Sequence, residues 1–250
     1  MSDSGIEAAI RRNIATVRER IAAAAVRGER DPDAVTLVAV TKTHPPEMVR
    51  AAAVAGVRDV GENRVQEASG KYTLCAGEPL HWHLIGHLQR NKARRAAEIF
   101  DLIHSVDSVR LAETLDRYVA EGARQTPGGR LPILLQVNIA GEVQKEGFDL
   151  PGGLTNRGQL TGFLETVEQI VALPDVEVRG LMTIAPYVEA AEQVRPVFRA
   201  LRELRDELAV RFPAASWHEL SMGMTGDFEI AVEEGATLVR VGRAIFGERA

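Results

Sequence analysis

Lys42 closes the segment Val35-Thr-Leu-Val-Ala-Val-Thr-Lys42, an unbroken run of apolar and β-branched residues. Such a run reads as a parallel strand buried on both faces, and Pro45-Pro46 stop it. Because side chains alternate along a strand, Lys42 shares a face with Val40, Val38 and Thr36, and its amine projects from a row of core residues. A deprotonated primary amine forms a Schiff base with a carbonyl compound, which a guanidinium cannot do. Lysine is scarce here. Of 30 Lys and Arg residues only four are Lys, at positions 42, 71, 92 and 145. Where charge alone suffices this chain writes Arg. The plain alternative is a strand that ends in a solvated lysine.

Two later loops, Ser221-Met-Gly-Met-Thr-Gly-Asp227 and Val241-Gly-Arg-Ala244, combine glycines with the hydroxyls of Ser221 and Thr225. Glycines let backbone N–H groups approach an anion such as a phosphate. Arg240 shares a strand face with Leu238 and Gly242, so it points inward, where a guanidinium requires acceptors. Either an internal carboxylate such as Glu219 supplies them, or a ligand does. An Arg beside a pyridine nitrogen is a recognised partner of pyridoxal phosphate, PLP. His81 and His83 lie two apart on one strand face and could be read as metal ligands. No acidic residue occupies the end of the last strand to complete such a site, so the pair reads as a barrel-interior feature. His44, His87, His104 and His218 show no ligand spacing.

The elements that must position these residues follow in order. An amphipathic helix over Ile6–Arg27 (Ile6, Ile10, Ile14, Val17, Ile21) ends at Gly28. Strands are expected at 35–42, 57–60, 80–86, 102–106, 133–139, 176–184, 217–222 and 237–241. Helices fall between them at 47–55, 64–71, 91–99, 108–120, 160–172, 190–211 and 227–234, with Thr225 capping the last. A Gly/Pro loop is expected at 126–129. Eight strands separated by helices, in 250 residues, predict a (β/α)8 barrel with one extra N-terminal helix. The whole of 1–250 reads as a single domain, with residues 1–30 packed on the barrel. An open doubly wound sheet is the runner-up, but no GxGxxG opens the first helix. In a barrel, active sites gather at the C-terminal ends of the strands, and phosphates at the loops after strands seven and eight. Lys42 and the two glycine loops then share one mouth, which suggests a phosphorylated carbonyl ligand.

Bulk properties bound the class. The chain is 45% hydrophobic and 26% charged with a net charge of -5, an ordinary globular composition that disfavours a general nucleic-acid binder. The basic cluster Arg90, Lys92, Arg94, Arg95 reads as a solvated helix face, or as a surface along which PLP arrives. No apolar run reaches bilayer-spanning length and the N-terminus does not resemble a secretory signal. One cysteine, Cys75, forms no internal disulfide, as expected in a reducing cytoplasm.

Seven blocks, in order, resemble the YggS/PROSC family of pyridoxal phosphate homeostasis proteins. They are Val38-Ala-Val-Thr-Lys42, Gly61-Glu-Asn63, Trp82-His-Leu-Ile-Gly86 with Leu88-Gln-Arg-Asn-Lys92, Gln136-Val-Asn138, Gly180-Leu-Met182, Leu220-Ser-Met-Gly-Met-Thr225, and Val239-Arg-Val-Gly242 with Ala244-Ile-Phe-Gly247. The resemblance implies a fold-type III barrel, like the N-terminal domain of alanine racemase, with PLP on Lys42 as an internal aldimine. It further implies Arg240 at the pyridine nitrogen, Asn63 near the ring, and Ser221, Gly242 and Arg243 at the phosphate. Many relatives have Thr where this chain has Arg243. The backbone N–H is retained, while the hydroxyl is exchanged for a guanidinium that either bonds the phosphate or turns outward.

Enzyme and carrier make different demands. Racemisation needs a base on each face of the cofactor, and alanine racemase-like enzymes bring a tyrosine from a second domain. Of three tyrosines here only Tyr187 follows a barrel strand. An Arg at the pyridine nitrogen leaves it unprotonated and weakens the ring as an electron sink. The expectation is a cytoplasmic, monomeric protein that binds PLP and buffers it or supplies it to apo PLP-dependent enzymes. A PLP-dependent racemase is the alternative, and a cofactor-free Schiff-base aldolase would use the same amine. Lys92 and Lys145, in loops after strands, are candidates for a secondary PLP-reactive amine.

Overall fold

The structure is a computed structural model describing residues 3–124, 129–142 and 144–247. Residues 125–128, most of the Gly/Pro loop expected at 126–129, lie outside the described residues. Nine strands are present among those described: β1 (Thr36–Val40), β2 (Asp59–Glu62), β3 (His81–Leu84), β4 (Leu102–Val106), β5 (Leu131–Asn138), β6 (Phe148–Asp149), β7 (Val176–Met182), β8 (Glu219–Ser221) and β9 (Leu238–Val241). All pair in parallel. The order β4-β3-β2-β1-β9-β8-β7-β5 is closed by β4–β5 pairing, so eight strands form a ring. Closure leaves no exposed edge along the ring. The expected (β/α)8 barrel is therefore the observed fold. The two-residue β6, which only extends β5 at its C-terminal end, is too short for a periodicity to reveal.

Alternation decides which side chains fill the barrel. Val38, Leu102, Leu134, Met182 and Leu238 meet inside it, while the opposite faces of the same strands pack against the helices. These helices are α1 (Asp3–Arg27), α2 (Pro46–Val54), α3 (Val65–Leu74), α4 (Ala93–Ile99), α5 (Val109–Ala120), α6 (Arg157–Val171), α7 (Arg195–Arg211), α8 (Phe228–Glu233) and α9 (Arg243–Phe246). Helix α1 buries Ile10, Ile14, Val17 and Ile21 in the outer core. It also braces the end of the chain: Asn13 Nδ2 donates to Ile245 O at 2.8 Å. Among the described residues no helix is long and apolar enough to cross a membrane.

Two local expectations are corrected. The second strand runs over Asp59–Glu62, two residues later than the apolar run indicated, because Val57 N–H donates back to Ala52 O and β1 pairs Val40 with Gly61. Gly61 belongs in the strand for steric reasons: a Cβ there would lie 3.1 Å from Val38 Cγ1. Thr225 does not cap α8. The capping position is Asp227, whose Oδ1 accepts from Met224 N–H at 2.5 Å.

Candidate functional site

A cavity of about 940 Å³ opens at the C-terminal ends of the strands. Lys42, Asn63, Arg240, Gly242 and Arg243 all line it. Lys42 lies two residues beyond β1, half-buried, and continues the row that begins with Val38 inside the barrel and Val40 on the cavity wall. The sequence placed these five residues together, and the fold does so as well.

The backbone on either side of Lys42 is clamped. Thr41 Oγ1 donates to Glu62 Oε1 at 2.6 Å, and Thr41 O accepts from Lys71 Nζ at 2.7 Å. On the other side Thr43 N–H donates to Glu67 Oε1 at 2.5 Å. Lys71 ties the two halves together, with Nζ 2.7 Å from Glu62 Oε1 and 2.6 Å from Glu67 Oε1. Thr43 has φ 68°, a left-handed conformation that a β-branched residue adopts only when its surroundings enforce it. This buried Lys–Glu cluster went unnoticed in the sequence, where Lys71 reads as one more charge on a helix. Burial pushes the Glu62 carboxyl above its usual range, against the opposing bonds from Lys71 and Thr41. For Glu67 burial acts in the same direction, but the Lys71 and Thr43 bonds outweigh it and hold the carboxyl low.

Arg240 is buried at the floor of the cavity, and its acceptors are not carboxylates. Nη1 donates to Ser221 Oγ at 2.5 Å and Nη2 to Thr183 O at 2.8 Å. Glu219, considered as its partner, instead accepts from Thr237 Oγ1. Burial pulls the guanidinium down to about 10, with Asp227 opposing from a distance, so it remains a cation at neutral pH. Burial in turn raises the Asp227 carboxyl, against the Met224 N–H bond and the charge of Arg240. Ser221, expected at the phosphate, has its hydroxyl wholly buried beneath Arg240. It also meets His104 Nδ1 at 2.8 Å.

The remaining rim residues come from several strands. Gly242 packs tightly, since a Cβ would lie 3.3 Å from both Cβ and O of Val40. The His44 ring, two residues after Lys42, lies 4.9 Å from that of Phe246 in α9, so the loop carrying the amine and the final turn support each other. Lys145 reaches the cavity and donates to Ile184 O and Ala185 O at 3.2 and 3.0 Å. Lys92 sits in a 3-10 turn that is not part of the cavity wall. Tyr187 lines the cavity but is 96% exposed. His87, read as lacking ligand spacing, meets Asp107 and Glu146 from other loops, with Nδ1 3.2 Å from Asp107 Oδ2. Of the cluster at 90–95, Arg94 and Arg95 are paired with Glu121 and Glu98.

Asn63 is held by a backbone contact that no larger residue permits. A Cβ on Gly86 would lie 2.5 Å from Asn63 O and 2.9 Å from its Cα. Gly86→Ala is expected to cost about 1–3 kcal/mol and to displace Asn63 from the cavity wall. Thermal melts and ligand titration of that variant check both effects.

Comparison with known proteins agrees with this architecture. Residues 7–250 match the family model "Alanine racemase, N-terminal domain". The chain is 44% identical over 246 residues to the pyridoxal phosphate homeostasis protein of Pseudomonas aeruginosa, covering 96% of each. The chain belongs to the pyridoxal phosphate homeostasis protein family. The structure of PipY from Synechococcus elongatus PCC7942 with PLP bound is 41% identical. It superposes with a TM-score of 0.76 over 92% of this chain and all of that one. Alanine racemase of Clostridium difficile, 12% identical with a TM-score of 0.71 over 96% of this chain and 56% of the enzyme, shares the fold.

Proposed function

We propose that this member of the pyridoxal phosphate homeostasis family binds PLP in the 940 Å³ cavity and serves to hold and supply it, without turnover of its own. One observation carries the reading: an amine, Lys42, and two cations, Arg240 and Arg243, line a single cavity beside the tight Gly242 turn. A carbonyl, a ring nitrogen and a phosphate make those three demands together. Lys42 would hold the cofactor as a Schiff base. Arg240 would donate to the pyridine nitrogen and Asn63 would lie beside the ring. The N–H groups at Gly242 and Arg243 would take the phosphate, with the Arg243 guanidinium where many relatives have Thr. Ser221, whose hydroxyl meets Arg240, is assigned to the support of that arginine.

Bound PLP supplies an electrophilic carbonyl and an electron-withdrawing ring. An arginine at the ring nitrogen leaves it unprotonated, which disfavours carbanion chemistry. Tyr187 stands in solvent, not fixed over a ring face as a racemase base must be. Both points support a carrier, acting in the cytoplasm as one barrel unit on apo PLP-dependent enzymes. The deciding measurement is an absorbance spectrum of PLP-loaded protein with and without added amino acids, followed by a product assay. A persistent visible band and no product are expected. Steady amino-acid turnover would replace the carrier by a racemase-like enzyme, and absence of any band at saturating PLP would sink the reading.

Of the two loop lysines, Lys145 is proposed as the secondary PLP-reactive amine, because it lines the cavity. Lys145→Arg should slow PLP transfer to an apo-enzyme several-fold, while Lys92→Arg should not. Equal rates in wild type and Lys145→Arg would remove this role.

A further inference from the structure

A continuous file of polar side chains runs through the barrel beneath Arg240. Asp59 Oδ1 lies 3.1 Å from His83 Nε2, His83 Nδ1 lies 2.9 Å from His104 Nε2, and His104 Nδ1 lies 2.8 Å from Ser221 Oγ. Arg240 Nη1 then donates to the same Oγ. His104 and Ser221 are fully buried and His83 nearly so. The far end, Asp59, lines a separate cavity of about 410 Å³ where the strands begin. Such buried polar files are costly unless every member is satisfied.

The Asp59 end sets the direction of the file. The Asp59 carboxylate only accepts, so His83 Nε2 carries hydrogen. With one proton per ring, His83 Nδ1 accepts from His104 Nε2–H, and His104 Nδ1 accepts from the Ser221 hydroxyl. Burial drives the His104 imidazolium well below its usual range, and the charge of Arg240 adds to this, in keeping with one proton on that ring. Ser221 is left with lone pairs only for Arg240. With the polarity reversed, the bare His83 Nε2 would face the Asp59 carboxylate, two acceptors with no hydrogen between them.

We infer that Asp59, His83 and His104 are positioning residues that keep the Ser221 proton turned away from the cavity and so hold Arg240 as a fixed, charged donor at the cavity floor. This rests on the PLP reading for its consequence: the file sets the environment of the ring nitrogen through Arg240. His104→Met keeps the bulk but breaks the file. His104→Gln can restore it, since its carbonyl accepts from Ser221 and its amide donates to His83. Asp59→Asn keeps an acceptor and removes the charge.

The first arm uses apo protein and ¹⁵N NMR of the imidazoles and guanidinium. Nε2–H tautomers are expected at both His83 and His104, with slowly exchanging Arg240 N–H signals that vanish in His104→Met and return in His104→Gln. Nδ1–H at either ring, or both rings doubly protonated, would overturn the inference whatever the ligand. The second arm reads PLP binding and the visible band. His104→Met should weaken binding by roughly tenfold, the value of one lost hydrogen bond to a charged group, and should shift the band. His104→Gln should restore both, and Asp59→Asn should shift the band the same way by less. A wild-type band and affinity in folded His104→Met would defeat the proposal. Expected tautomers in a wild type that takes up no PLP would instead defeat the cofactor reading and leave the file standing.

Discussion

Lys42→Ala should lose the borohydride-fixable adduct at residue 42 and most of the visible absorption of the covalently held cofactor, leaving at most a minor adduct at Lys145, while the barrel melts close to wild type. Lys42 is half-buried at the cavity wall, so its removal opens no deep core void. None of the other three lysines is poised to take its place at the same atom. Lys71 is consumed by Thr41, Glu62 and Glu67, Lys92 is off the cavity wall, and Lys145 is anchored to the carbonyls of Ile184 and Ala185 and paired with Glu142. Residual non-covalent binding should persist through Arg240 and the Gly242 turn, since charge-assisted hydrogen bonds are each worth about 1.5–3 kcal/mol. Peptide mapping of reduced wild-type protein should find the adduct at Lys42. An adduct confined to another lysine would refute the assignment.

Lys71→Met should be the most damaging substitution away from the cavity wall. It leaves Glu62, whose side chain is wholly buried, with a charge and only the Thr41 hydroxyl to meet it. One Glu62 oxygen, Oε2, already has no hydrogen-bond partner. Stripping one partner from a buried pair costs about 3–5 kcal/mol, which for a chain of this size lowers Tm by roughly 10 °C. The damage should also reach Lys42, because Thr41 O loses a donor and Glu67 loses the counter-charge that steadies Thr43. Lys71→Met combined with Glu62→Gln should recover much of the loss, because an amide tolerates burial and still accepts from Thr41. The acid response should change as well. Glu67, held low in the fold, contributes stability above the usual Glu range that is lost as pH falls through its lower folded value. Without Lys71 that dependence should shrink. Melting curves from pH 3 to 7 test both points, and a single variant melting within about 2 °C of wild type would show the cluster to be dispensable.

The barrel, its strand count and the amine at the first strand end were legible in the residues themselves. Buried parallel strands are written as apolar runs, and period-two alternation carries Lys42 and Arg240 to the inner face. Strand limits were less legible. Gly61 and Glu62 look like a turn in isolation, yet β1 and β3 supply hydrogen bonds that make them strand. His83 was correctly read as an interior residue, but His81, its supposed companion, stands exposed with its ring 3.2 Å from Asp59.

What the sequence determined alone was the fold class and the inward placement of an amine and an arginine, because those follow from local periodicity and from residue chemistry, while the proposed roles of Asn63, Gly242 and Arg243 came from resemblance. The tertiary structure decided how each group is held. Lys71 came to lie behind Lys42 through the direct pairing of β1 with β2, which sets its amine against the Thr41 carbonyl 30 positions away. His104 came to lie beneath Ser221 through ring closure, which sets side chains 117 positions apart within hydrogen-bond range. No one-dimensional spacing encodes such a contact. It arises from the register and stagger of strands that meet only when the sheet closes on itself.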